Sequence, residues 1–334
     1  MSSQIKIDWF DSTLLRGNPL GDPHVRKLVI YLPPSYESEP NREFPTIYLL
    51  SAYMGFGAML LAPQAWGYSI DERLDRLIGA GKMEECIVVM PDTFTAWGGS
   101  QYMNSIAQGP YEDYVIREIV PYVDSTYRTM AAPRHRGLLG RSSGGYGSFI
   151  LGMKHPDLFG SIYCSSGDMY FEYGYKPDFP KAYTVLHRTG GLEEFFRRFF
   201  EAPKKSGEMI TTMNIIAMSA AYSPNPDAPY QIDLPFDLET GELRGDVWMK
   251  WLEQDPVYLV TQKTNQLRLK KLNDIFIECG SRDEYNLHIG SRILSKRLSA
   301  AGIPFSYEEF EDGHMGTSYR YEVSLVKLSE AISG

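Results

Sequence analysis

One serine, one aspartate and one histidine, in that order, are the residues of this 334-residue chain best placed to do chemistry. Ser142 lies in Gly140-Arg141-Ser142-Ser143-Gly144, between an apolar run from Gly137 to Leu139 and a helix-compatible segment from Tyr146 to Met153. That is a G-x-S-x-G match in strand–turn–helix context. A serine on so sharp a turn needs neighbours without Cβ atoms two residues before and after it, and Gly140 and Gly144 meet that need. The turn thrusts Ser142 out at the carboxyl end of the strand and leaves the first amides of the helix free to hold an anion. Alone the pattern is weak, because a chain with 30 glycines also makes plain Gly-rich turns.

What strengthens it is a base and an acid further along. A serine becomes a nucleophile when a base lies within hydrogen-bond reach and a carboxylate orients that base. Asp283 lies in Gly280-Ser281-Arg282-Asp283-Glu284, just past one apolar strand-like run, and His314 lies in a Gly-flanked loop just past the next. Glu284 adjoins Asp283 and is the rival acid. Ser143 adjoins Ser142, but its flanks do not fit the motif, so its expected part is its backbone N–H as first donor to an oxyanion. The second donor should come from Ser51-Ala52-Tyr53-Met54-Gly55, with the amide of Tyr53 the first choice and Ala52 the alternative.

The elements that must position these residues alternate strand and helix. Ile5–Phe10 and Val25–Leu32 read as strands, and Phe44–Leu50 is a near-continuous apolar run of the kind found in a central parallel strand. Ser69 with Glu72 three residues later predicts a capped helix that ends near Gly79 or Gly81. Cys86–Met90 is the next strand, residues 111–127 a helix bent at Pro121, and Phe159–Cys164 the strand after the elbow helix. A strand at Asp274–Cys279, a helix at Ile289–Ala300, a strand at Pro304–Phe310 and a closing helix at Tyr321–Ile332 follow. This alternation predicts βαβ units and a mostly parallel sheet, and the order Ser, Asp, His is that of the α/β-hydrolase topology.

Between Gly167 and about Thr261 the rhythm breaks. Leu192, Phe195, Phe196, Phe199 and Phe200 form one helical face, with Glu193–Arg197 and Glu194–Arg198 as expected ion pairs opposite. A second helix from Ser206 places Met209, Met213, Ile216, Ala217 and Ala220 on one side, and Leu234–Leu243 reads as a short hairpin turning at Gly241. Residues 168–261 are therefore expected to form a cap over a core made of 1–167 and 262–334. Tyr170 and Tyr173 are the expected substrate contacts at its mouth. Core packing or a homodimer contact is the other reading of its Phe-rich helix.

Composition narrows the function classes. With 43% hydrophobic residues the chain can bury a large core, and a net charge of −9 argues against nucleic acid or an anionic membrane as partner. No apolar run is long enough to span a bilayer, and the start lacks the basic-then-apolar pattern of a secretory leader. Three irregularly spaced cysteines suggest buried, reduced thiols and a cytoplasmic location. No metal or organic cofactor is expected.

Taken jointly, eight stretches resemble a known family. They are Tyr31-Leu-Pro-Pro-Ser-Tyr36, Pro45-Thr-Ile-Tyr-Leu-Leu50, Met90-Pro-Asp92, Tyr111-Glu-Asp-Tyr114, Gly140-Arg-Ser-Ser-Gly-Gly145, His155-Pro-Asp-Leu-Phe-Gly160, Cys279-Gly-Ser-Arg-Asp-Glu284 and Gly313-His314. The chain is similar to the esterase D-like branch of the α/β hydrolases, which includes S-formylglutathione hydrolases, feruloyl esterases, enterochelin esterases and mycolyltransferases. The resemblance implies an α/β-hydrolase fold, a mostly parallel twisted sheet flanked by helices, with Ser142, Asp283 and His314 as triad. It implies a serine carboxylic-ester hydrolase on small to medium or aromatic esters, with acyl transfer or thioester hydrolysis as alternatives. Two departures stand out: Ser51-Ala52 where the family often has His-Gly, and Arg141 where His or Leu is commoner.

Overall fold

A computed structural model describes residues 2–334. Eight strands make one sheet: β1 (Gln4–Asp11), β2 (Val25–Leu32), β3 (Thr46–Leu50), β4 (Ile87–Met90), β5 (Arg136–Arg141), β6 (Ser161–Ser165), β7 (Asp274–Gly280) and β8 (Ser306–Phe310). Their order across the sheet is β1-β2-β4-β3-β5-β6-β7-β8. β2 pairs antiparallel with β1 and with β4, and every later neighbour pair is parallel. The apolar runs explain the order. β3, β4 and β6 are buried along their whole length, as strands covered on both faces must be, whereas β1 alternates half-buried and exposed positions at an edge.

Helices cover both faces. α1 (Ile70–Gly79) opens on a capping box, Ser69 N–H donating to the Glu72 carboxylate at 2.8 Å. α2 (Ser143–Lys154) follows β5, and α3 (Phe179–Thr189), α4 (Leu192–Glu201), α5 (Gly207–Tyr222) and α6 (Gly245–Leu252) belong to the insertion. α7 (Leu287–Ala300) and α8 (Tyr321–Ser333) close the chain. One core joins α1 and α8 to the sheet through Ile70, Leu74, Leu325 and Leu328. The other gathers α2 and the insertion around Phe149, Ile216 and Trp251. The three cysteines are buried and unpaired.

The bend expected at Pro121 takes a specific form. The helical stretch over residues 111–126 widens to a π-helix at Tyr114–Ile119, and the Val120 N–H reaches back to the Val115 carbonyl. Proline offers no N–H and crowds the preceding turn, so the ladder loosens just before it.

Two expectations for the insertion need correction. Glu193 does not pair with Arg197. Arg197 instead binds Glu194 three residues back and Glu201 four ahead, and Glu194 also holds Arg198. Since Glu194 lies within one turn of both arginines, it takes both. Helix α5 is not one-sided, because Ile215, Met218 and Ala221 are buried along with Met213, Ile216, Ala217 and Ala220. The hairpin forms as expected, with Phe236 bridging Leu243 and Gly241 at φ 76°.

Register decides where the loops open. Leu50 lies beside Gly140, and Arg141 beside Ser165. The loop after β3, the elbow after β5 and the segment after β6 therefore emerge on one rim.

Candidate active site

Ser142 sits at φ 55°, ψ −126°, a conformation L residues rarely adopt. Its own N–H is tied to the Ser165 carbonyl at 3.0 Å. The flanking glycines are required by contact. A Cβ on Gly140 would lie 2.1 Å from the Gly144 carbonyl oxygen, and one on Gly144 would lie 2.2 Å from that of Leu50. No side chain fits there.

His314 and Asp283 converge on this turn from the loops after β8 and β7. His314 Nε2 stands 3.1 Å from Ser142 Oγ, and His314 Nδ1 stands 2.7 Å from Asp283 Oδ2. The other oxygen of Asp283 accepts from the Tyr285 and Leu287 amides at 2.9 and 3.4 Å. The carboxylate is thereby fixed before it meets the ring. His314 and Asp283 are both buried, so water competes little for this bond. A carboxylate on Nδ1 places the ring proton there and leaves Nε2 to accept from the serine hydroxyl. Glu284 is engaged differently: it accepts from the backbone N–H of His314. Glu284 anchors the histidine loop while Asp283 faces the ring.

Tyr53 and Ser143 line the same cavity as Ser142, and neither backbone N–H finds an acceptor among the described residues. The next amide, Met54, is committed to Gly98 at 2.7 Å, and Gly55 closes a turn onto the Ala52 carbonyl at 2.9 Å. Ala52 also lines the cavity. The Tyr53 hydroxyl donates to the Trp97 carbonyl at 2.8 Å, pinning the loop from outside. Two amides without acceptors, on residues that share one cavity with Ser142, make a site able to stabilise an oxyanion.

The cavity has a volume of about 520 Å³. Met54, Phe56, Met59, Leu60 and Met315 supply apolar surface, and Tyr175, Ile210 and Asn214 come from the insertion. A smaller apolar cavity of about 270 Å³ adjoins it, sharing Tyr53, Met54, Phe56 and Ile210 and adding Trp97 and Phe199.

The two tyrosines expected at the mouth pack against each other. Tyr170 and Tyr173 are absent from the cavity wall. Tyr170 turns left-handed at φ 57°, its N–H is held by Asp255 at 3.0 Å, and its ring packs against that of Tyr173, centroids 4.9 Å apart. Tyr175 and Tyr285 line the cavity instead.

One residue escaped the sequence reading altogether. Asp168 is buried on the cavity wall, and its Oδ2 accepts from Ser143 Oγ at 3.0 Å, Tyr175 OH at 2.7 Å and Gln101 Nε2 at 3.0 Å. Burial raises its carboxyl above the usual range, opposed by those hydrogen bonds. A signal existed: Asp168 comes three residues after β6, on the rim where the elbow opens.

Comparison with known proteins bears on the whole chain. A family described as "Putative esterase" matches residues 23–327. YbbA, an uncharacterized protein of Bacillus subtilis, is 27% identical over 157 residues, 44% of this chain. The chain spans 58% of the length of that relative. Among solved structures, a ferulic acid esterase superposes with a TM-score of 0.63 at 18% identity, covering 99% of each chain. FphF, a fluorophosphonate-binding serine hydrolase of Staphylococcus aureus, superposes with a TM-score of 0.61 at 14% identity over 100% of both. At these identities the superpositions establish the α/β-hydrolase fold.

Proposed function

The chain belongs to that esterase family, and from this premise we propose that it is a serine carboxylic-ester hydrolase working through an acyl-enzyme. The observation that carries the proposal is the relay from Asp283 through His314 to Ser142, at 2.7 and 3.1 Å, beside two free amides. Ser142 Oγ attacks the acyl carbon as His314 Nε2 takes its proton. The amides of Ser143 and Tyr53 hold the oxyanion while Asp283 stabilises the imidazolium. His314 then returns the proton to the leaving alkoxide, and the ester C–O bond breaks. Water enters, gives its proton to His314 and splits the acyl-enzyme, restoring the serine hydroxyl.

Residues 168–261 act as a cap, since Asp168, Tyr175, Ile210, Thr211 and Asn214 all line the cavity. A space of about 520 Å³ walled by methionine, phenylalanine and tyrosine suits small to medium or aromatic esters. The known ferulic acid esterase with this fold agrees with an aromatic acyl group. Three buried thiols agree with a reducing, cytoplasmic setting.

A fluorophosphonate probe tests the assignment. It should label Ser142, and Ser142→Ala should abolish both labelling and turnover of 4-nitrophenyl acetate. Labelling that survives Ser142→Ala but is lost in Ser143→Ala would mean that the nucleophile is the other serine.

A further inference from the structure

Arg141, the residue before the nucleophile, lines the cavity without a partner. Its Nε is sealed from solvent and has no hydrogen-bond acceptor. The rest of its guanidinium makes no hydrogen bond or ion pair among the described residues either. The carboxylates of this region make their hydrogen bonds elsewhere, although the charge of Asp312 reaches Arg141 across space. Glu278 is held by Arg320 at 2.6 Å, and Glu322 is shared between Arg73 and Arg76 at 2.6 and 3.3 Å. Asp312 accepts from the Gly313 N–H at 2.8 Å and the Tyr319 hydroxyl at 3.1 Å.

Arg73 lines the same cavity, as do the hydroxyl-bearing Tyr68, Ser318 and Tyr321. At this end Arg73 and Arg76 share Glu322 and Arg320 holds Glu278, so Arg141 is the guanidinium left without a carboxylate in hydrogen-bond contact. The acids that line the cavity, Asp168 and Asp178, come from the segment after β6, and Asp168 is taken up by Ser143, Tyr175 and Gln101. The contrast matters because the chain as a whole is acidic, with a net charge of −9. A guanidinium carries five N–H donors in a planar fork that matches a carboxylate. Holding one half-withdrawn from water with no acceptor is unfavourable unless a ligand brings the acceptor.

We infer that Arg141 binds a carboxylate on the substrate, so that the preferred substrates are esters bearing a free carboxylate beside the reacting bond. A single unpaired fork next to Ser142 fits one planar monoanion. The inference rests on the hydrolase reading above and narrows it to acidic esters.

The test compares isosteric pairs in the intact enzyme. One pair places the charge on the leaving group, 4-acetoxybenzoate against 4-acetoxybenzamide. The other places it on the acyl group, monomethyl adipate against its amide, methyl 6-amino-6-oxohexanoate. In the wild type, kcat/KM should favour the acid by about tenfold or more in one pair, the scale of one charge-assisted hydrogen-bond pair. Arg141→Met should reduce that ratio by about tenfold, mainly through KM, and Arg141→Lys should restore part of it, since a point charge lacks the fork. Turnover of both pairs without preference for the acid would overturn the inference and leave the hydrolase standing. A preference that persists unchanged in Arg141→Met would also overturn it. Should Arg141→Met fail to fold, the wild-type ratios and competitive inhibition by benzoate against benzamide decide. Absence of turnover with all four esters would overturn the hydrolase reading, and the inference with it.

Discussion

The cavity wall that carries Ser142 and the wall contributed by residues 168–261 are built by different means. The first is set by backbone. Gly140 and Gly144 approach carbonyl oxygens so closely that a Cβ would stand 2.1 or 2.2 Å away, and Ser142 holds a positive φ. The second is set by side chains. Tyr175 stacks edge-on with Phe171 and Trp251, and its hydroxyl meets Asp168 at 2.7 Å. A backbone-built wall tolerates almost no substitution and fixes the reaction. A wall built from packed rings can be re-cut one residue at a time, so it suits the choice of substrate.

The largest test of this contrast sets one carboxylate against another. Asp283→Asn should lower kcat by about 10⁴, because a neutral amide favours the wrong tautomer of His314. Asp168→Asn keeps an acceptor for Ser143, Tyr175 and Gln101, so its loss should stay within about tenfold, the scale of one hydrogen bond. Equal losses in steady-state turnover would show that the second wall takes part in the chemistry.

Gly144→Ala probes the backbone wall directly. The added methyl meets the Leu50 carbonyl, so the turn must shift and pull the Ser143 amide off line. Turnover should fall by about 10²–10³, as when an oxyanion donor is lost. Near-normal kcat with a native far-UV spectrum would mean that the amides are not aligned by that close approach.

The smallest effects belong to the tyrosines. Tyr175→Phe should change the ranking of kcat/KM among aryl and alkyl esters by several-fold, about the value of one buried hydrogen bond. Tyr170→Ala and Tyr173→Ala should move that ranking by less than about twofold, within the usual range for substitutions away from a binding surface. If Tyr170→Ala re-ranks the esters more than Tyr175→Phe, the mouth of the cavity lies further out than the lining residues indicate.

The same contrast explains what could be read beforehand. The elbow, the acid and the base were legible because each is a local necessity: glycine where no Cβ fits, a carboxylate and an imidazole at strand ends on one rim. The strands of the sheet were legible from their apolar runs. That Tyr170 and Tyr173 stay off the cavity wall was not legible, because their number and spacing say nothing of which rings a left-handed turn at Tyr170 will set against each other. Asp168 was passed over because a lone acid after a strand has no motif, and its meaning depends on Gln101, Tyr175 and Ser143 arriving from elsewhere in the chain. The choice between Asp283 and Glu284 likewise awaited the loop path, which sends one to the ring and the other to the backbone N–H of His314.

The elbow also has a thermal consequence. A serine held at φ 55° costs about 1–3 kcal/mol that glycine would not incur. Glycine would return up to about 1 kcal/mol of that by loosening the unfolded chain. Ser142→Gly should therefore melt a few degrees above Ser142→Ala, since alanine keeps the Cβ and with it the cost. Scanning calorimetry of these two proteins without any ester present isolates the effect. A Ser142→Gly protein that melts at or below Ser142→Ala would mean that the surrounding turn has relaxed around the serine. Otherwise the more heat-tolerant of the two is the one whose turn carries no Cβ at position 142.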